Sequence, residues 1–153
     1  MDKKGLLILS VFRKNARKNL TKISRATGIP VSTIYEKLKK YERDIIKKHT
    51  ALLDFSKLGF DLRVDIVMKA AIPNRDSLRN FLTNNQNVNS LYRLGNGYDF
   101  LAECVFKHMR DLHDFLERLE TYKVTGMKEF FILDDIKKED FMTDPELFGI
   151  LEN

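Results

Sequence analysis

Cysteine and histidine are both scarce, with one cysteine (Cys104) and three histidines (His49, His108, His113) among 153 residues. A lone cysteine excludes an internal disulfide framework and a cysteine-based zinc site. His108 and His113 stand five apart, whereas ligand pairs on a helix need a spacing of three or four, so no metal is expected. Long apolar runs are missing as well. The densest, Gly5 to Phe12, is far short of the roughly 20 residues that span a bilayer, which excludes a transmembrane helix. Asp2, Lys3 and Lys4 precede that stretch and no small-residue cleavage site follows it, so the expectation is a cytoplasmic protein without a secretory signal. There is no glycine-rich phosphate loop: Gly95-Asn96-Gly97 leads into an alternating, strand-like segment and reads as a turn. Cys104 falls on the apolar side of that segment, as a buried structural thiol rather than a nucleophile. No catalytic set and no cofactor is expected.

Charge is present in quantity and is divided unevenly. Residues 1–48 carry 14 Lys/Arg and 4 Asp/Glu, net +10, while residues 49–153 carry 13 and 18, net −5. A basic module joined to an acidic one points to nucleic-acid binding by the first and another task for the second.

Within the basic module, Leu6, Leu7, Ile8, Leu9, Val11 and Phe12 form an apolar first helix with Arg13, Lys14, Arg17 and Lys18 at its C-terminal end. Asn19 is placed to cap a second helix, Leu20 to Thr27, which Gly28 ends. Thr33 and Glu36 have the spacing of a capping box, so a third helix is predicted to start between Pro30 and Thr33 and to run to about Arg43. Ile34, Leu38 and Tyr41 face inward, and Ser32, Thr33, Tyr35, Glu36, Lys37, Lys39 and Lys40 lie on the other side. This is a helix-turn-helix whose third helix suits a major groove of double-stranded DNA. Short hydroxyls fit near base edges, Lys37 has the reach for a guanine acceptor pair, and Lys39, Lys40 and Lys22 suit phosphates.

The acidic module alternates. Val64, Ile66, Met68 and Ala70 form a first strand ended by Pro73; a helix capped by Asn74 follows, then a strand over Val88 to Leu94. After the Gly95-Asn96-Gly97 turn, Phe100, Ala102, Cys104 and Phe106 share one face of a third strand. Leu112, Phe115, Leu116, Leu119 and Tyr122 mark a second helix, and Met127 to Ile136 a fourth strand. This is βαββαβ order, an α+β module with both helices on one face of an antiparallel sheet. Leu101, Val105, Phe130, Ile132 and Ile136 leave apolar side chains for the other face, and a second subunit is the simplest cover.

The order of the modules resembles the Lrp/AsnC (feast/famine) family of transcriptional regulators over about Lys4 to Lys138. The residues that carry the likeness are Ile8-Leu9, Ala16-Arg17, Ile23, Gly28-Ile29, Ser32-Thr33-Ile34, Leu58-Gly59 and Tyr98-Asp99. A tail, 139–153, extends beyond that likeness, with Asp144-Pro145-Glu146 as a helix start ahead of Leu147, Phe148, Ile150 and Leu151. The resemblance implies three parts: a winged helix-turn-helix of three helices over residues 1–48, a wing and connector over 49–62, and a ferredoxin-like RAM-type module for oligomerisation and effector binding over 63–138. It implies DNA as partner, a homodimer or an octamer built from dimers, and an amino acid or other small effector at Gly95, Asn96, Gly97, Tyr98 and Asp99.

Some positions depart from the family pattern: Gly5 stands where Asp is usual, Pro30 where Ser is, Asn96 where Gly is and Glu129 where Thr is. Strand alternation is expected to turn Asp99 toward the open sheet face, where its carboxylate suits an ammonium group while the turn N–H groups suit a carboxylate; the other reading is that Asp99 satisfies turn N–H groups or an interface arginine. Siroheme decarboxylases share the two-module look and are enzymes. The intact basic recognition-type helix has no purpose around a buried macrocycle and favours a regulator over that reading and over a sensor that does not use DNA.

Overall fold

Asp2 opens the first helix, α1 (Lys3–Lys14), by accepting the Gly5 N–H on Oδ1 at 2.9 Å, one of the donors that every helix start leaves without a partner. The computed structural model describes residues 1–146. Asn19 likewise receives the Lys22 N–H at 2.9 Å to begin α2 (Leu20–Thr27), and Gly28 closes that helix at φ 68°, a left-handed conformation open to glycine. The third helix, α3 (Val31–Asp44), starts between Pro30 and Thr33 as expected, but without the capping box. Thr33 and Glu36 form no box; Pro30 occupies the cap position with φ −56° and ψ 142°, and its carbonyl accepts the Ile34 N–H at 3.0 Å. The ring of Pro30 pre-sets φ, so no side-chain cap is needed to set the entry angle.

The three helices close on Ile8, Ile23, Ile29, Ile34, Leu38 and Tyr41, a small core that defines the helix-turn-helix. Residues 46–54 carry no helix or strand, and a 3-10 turn at Ser56–Leu58, ended by Gly59 at φ 81°, leads to the second module.

That module contains β1 (Leu62–Ala70), α4 (Arg75–Thr83), β2 (Val88–Arg93), β3 (Phe100–Phe106), α5 (Met109–Glu120) and β4 (Val124–Phe131). The strands lie in the order β2-β3-β1-β4, every neighbouring pair antiparallel. Val64, Ile66 and Met68 of β1 and Phe100, Ala102, Cys104 and Phe106 of β3 pack against Leu78 and Leu82 of α4 and Leu112, Phe115 and Leu119 of α5. Each large side chain so buried contributes about 1.5–3 kcal/mol.

Two expectations fail here. Asn74 stands before α4 but makes no side-chain cap, because a 3-10 turn at Ile72–Asn74 holds it at φ −100° and ψ −5°, outside the extended conformation that a capping residue adopts. The fourth strand covers Val124–Phe131 instead of Met127 to Ile136. Lys123, at φ 51°, reverses the chain directly after α5, and at the far end β1 begins at Leu62, so pairing runs out once Ile132 has donated to the Arg63 carbonyl. Ile136 therefore lies outside the sheet and is 96% exposed.

Cross-strand partners share a face, so the register assigns the open side of the sheet. Tyr92 pairs with Leu101, Leu101 with Val67, Val105 with Arg63, and Phe130 with Asp65, all on the side away from α4 and α5.

The described residues divide into two compact units, residues 53–135 and residues 1–52 joined by 136–146. Within the helical unit, Arg13 of α1 lies 2.8 Å from Glu139 and donates through Nε to the Phe141 carbonyl. The part of the expected tail helix that follows Glu146 lies outside the described residues.

Candidate nucleic-acid interface and effector hairpin

Three buried residues of α3, Ile34, Leu38 and Tyr41, orient the helix, and the positions between them face solvent. Ser32, Tyr35, Glu36, Lys39 and Lys40 are exposed, and Thr33 is half-buried. Ser32, Tyr35, Glu36 and Lys39 follow i, i+3, i+4, i+7 and make one stripe. Tyr35, 56% exposed, has no core to fill and stands out of that stripe into solvent. Lys22 is exposed on the first turn of α2.

Lys37 behaves differently from its neighbours. Its Nζ lies 3.0 Å from both carboxylate oxygens of Asp2, so the ammonium that the sequence assigns to a guanine is held by the first turn of α1. The Lys37 hydrogen bond, helped by the Gly5 N–H, holds the Asp2 carboxyl below the usual aspartate range, and the same bond raises the Lys37 ammonium above the usual lysine value. Asp2 was missed in sequence as a partner of Lys37 because 35 positions separate the two. Its place ahead of an apolar, helix-periodic run was nonetheless a legible capping signal.

In the second unit the β2–β3 connection reverses at Asn96 and Gly97, with φ 56° and 95°. Asn-Gly suits two successive positive φ values, the requirement of a tight hairpin turn whose twist matches the strands. Tyr98 stands beside Lys128, with the ammonium 5.8 Å from the ring centre.

Asp99 does not project from the open sheet face as alternation suggests. β3 begins only at Phe100, so the period-two rule does not reach it. Its Oδ2 accepts the Ala70 N–H at 2.9 Å and its Oδ1 lies 2.9 Å from Arg75 Nε, an ion-pair distance. The Arg75 N–H is poorly aimed along that line, so the pair is charge attraction more than a hydrogen bond. Asp99 thus ties the hairpin to the end of β1 and the start of α4. Nothing in the local sequence signals Ala70 or Arg75 as its partners.

Among the described residues no group of three or more His, Cys, Asp or Glu is placed to hold a metal ion. Among the same described residues no helix is long and apolar enough to cross a membrane.

Comparison with known proteins agrees with this geometry. Residues 1–44 match the winged helix-turn-helix DNA-binding model and residues 73–141 the Lrp/AsnC ligand binding domain. An uncharacterized HTH-type transcriptional regulator of Pyrococcus horikoshii is 25% identical over 139 residues, 90% of this chain and 94% of its own. The HTH-type transcriptional regulator FL11 of the same organism is 28% identical over 118 residues, 76% of each. Among solved structures, the Neisseria meningitidis regulator NMB0573 in complex with L-Met has a TM-score of 0.82 at 23% identity, covering 90% of this chain and 93% of that one. AsnC of E. coli has a TM-score of 0.78 at 18% identity, covering 90% and 95%.

A helix-turn-helix with an exposed polar stripe, joined to a four-stranded ligand-binding module, defines an HTH-type transcriptional regulator. The chain thus joins a winged helix-turn-helix DNA-binding domain to an Lrp/AsnC ligand binding domain.

Proposed function

We propose that the chain reads double-stranded DNA with Ser32, Tyr35 and Glu36 of the stripe on α3. Thr33 flanks them, and Lys22, Lys39 and Lys40 meet phosphates. The observation that carries this reading is the outward stripe on a helix whose other face is fixed by Ile34, Leu38 and Tyr41, in a module of net +10. Two such helices in a homodimer address half-sites about one helical turn apart, giving a pseudo-palindromic site. The test is selection from a random DNA pool followed by titration at several salt concentrations. A symmetric motif bound with steep salt dependence is expected, and failure to enrich any sequence would remove the proposal.

The open sheet face, with Val67, Tyr92, Leu101, Val105 and Phe130, supports a dimer formed sheet to sheet, the octamer being an assembly of such dimers. A small effector of the amino-acid class is taken at the hairpin, where backbone N–H groups of Gly95, Asn96 and Gly97 suit a carboxylate and Tyr98 forms a wall. Asp99 shapes that turn through Ala70 and Arg75 while its charge remains near enough to orient an ammonium group. Support comes from the ligand-binding family model over residues 73–141 and from L-Met in the Neisseria meningitidis relative. Calorimetry with the twenty amino acids tests it: heat with one or a few that is lost in Tyr98→Ala is expected, and no heat from any of them defeats it.

A further inference from the structure

Lys37 sits on the DNA-reading helix yet faces away from the solvent-exposed stripe. Both Asp2 oxygens hold its Nζ at 3.0 Å, and Asp2 Oδ1 at the same time caps α1 through the Gly5 N–H. Tyr41, one turn after Lys37 on α3, brings its hydroxyl against Gly5 of the same α1 turn. One edge of α3 is therefore fastened to the start of α1 at two successive turns.

The consequence follows from the kinds of force involved. Apolar packing of Ile34, Leu38 and Tyr41 is non-directional and tolerates small rotations of α3 about its axis. A charge-assisted hydrogen bond to two carboxylate oxygens is short and directional, and it does not tolerate them. The pair lies at the rim, with Lys37 27% and Asp2 56% exposed, so its effect on stability is small and its effect on orientation is the larger one. There is an electrostatic consequence too. A lysine on phosphate strengthens binding to every sequence alike, whereas a lysine held by a carboxylate leaves discrimination to the stripe.

We propose that Asp2 is a positioning residue for DNA recognition: by holding Lys37 it fixes the angle at which α3 presents Ser32, Tyr35, Glu36 and Lys39, and it withholds the Lys37 charge from the phosphate backbone. This rests on the reading of α3 as the DNA-contacting helix.

Asp2→Ser separates the two roles of Asp2, since serine keeps the helix cap but cannot hold a lysine charge. The full chain is titrated with a selected site and with a scrambled duplex at several salt concentrations, for Asp2→Ser, Lys37→Gln, the double variant and Lys39→Ala, with thermal unfolding of each. Asp2→Ser is expected to lower the ratio of site to scrambled affinity about fivefold or more at nearly unchanged melting temperature. Its scrambled-duplex binding is not weakened, and the salt slope there steepens by about one phosphate. The double variant lowers that ratio no further than Asp2→Ser alone, because both changes break one tie. An unchanged ratio in Asp2→Ser while Lys39→Ala still weakens binding overturns the proposal and spares the reading of α3. Additive losses in the double variant overturn it as well. If Lys39→Ala alters neither duplex, the reading of α3 falls, and this proposal with it.

Discussion

The hydroxyl of Tyr41 fills the space that a side chain at Gly5 would need: a Cβ built at Gly5 would stand 2.1 Å from Tyr41 Oη and 2.8 Å from Asp2 Oδ1. Gly5 is helical, and alanine there would ordinarily gain about 0.5–1 kcal/mol from propensity. Tyr41 is only 5% exposed and anchored in the helical core, so it has little room to retreat. Gly5→Ala is expected to destabilise by about 1–3 kcal/mol, the usual cost of overpacking. Chemical denaturation measures it, and Tyr41→Phe in the same chain should recover part of the loss by removing the clashing oxygen.

Lys39 and Lys40 project from the outer side of α3 and are exposed. Alanine at either is expected to reduce the salt slope by about 1 and to weaken all sequences alike. Ser32→Ala and Glu36→Ala should act differently, shifting the selected sequence at one or two positions with the slope intact. A Glu36 variant that selects the same motif as the parent would take Glu36 out of the base-reading group.

Cys104 is 1% exposed on the helix side of β3, and burial pushes its thiol up to about 12, well above an ordinary cysteine. The native state therefore holds the thiol neutral while the unfolded chain ionises it from about pH 8.5 upward. The stability due to this difference is complete below that pH and is lost as pH rises toward 12. Iodoacetamide should label Cys104 at the rate of global unfolding and no faster, up to at least pH 9. Rapid labelling of the native protein at pH 8 would contradict the burial.

Much of this architecture was legible in the sequence, because it rests on local signals. Asn19 and Gly28 delimit α2 as cap chemistry requires, and the alternation from Phe100 to Phe106 states both the strand and its buried face. Errors arose where the decision was tertiary. Met127 to Ile136 is apolar enough for a strand, but the chain reversal at Lys123 and the limited length of β1 set the real bounds at Val124–Phe131. The site behaves the same way. Exposure of Ser32, Tyr35 and Lys39 follows from helical period alone, whereas the partners that occupy Lys37 and Asp99 are brought to them by packing of α1 on α3 and by the β1–β3 pairing. Partners 35 and 29 positions apart leave no local pattern to read.

The open face of the sheet allows the sharpest test of assembly. Leu101 lies at its centre, opposite Tyr92 on one side and Val67 on the other, and its side chain points away from Phe100 and Ala102, which fill the core beneath the helices. Glutamate at Leu101 is therefore tolerated by a single subunit. In a sheet-to-sheet dimer it would bring a carboxylate from each subunit into the interface beside Tyr92 and Val67, where burying charge is costly. Leu101→Glu should shift the protein to the monomer mass in sedimentation while its far-ultraviolet circular dichroism stays unchanged. DNA affinity should fall along with it, because two linked half-site contacts become one. Phe130→Glu, 52% exposed at the β4 edge of the same face, should weaken the dimer less. A Leu101→Glu chain that still sediments as the parent does would mean that subunits meet through another surface, and the pairing assigned to this face would be wrong.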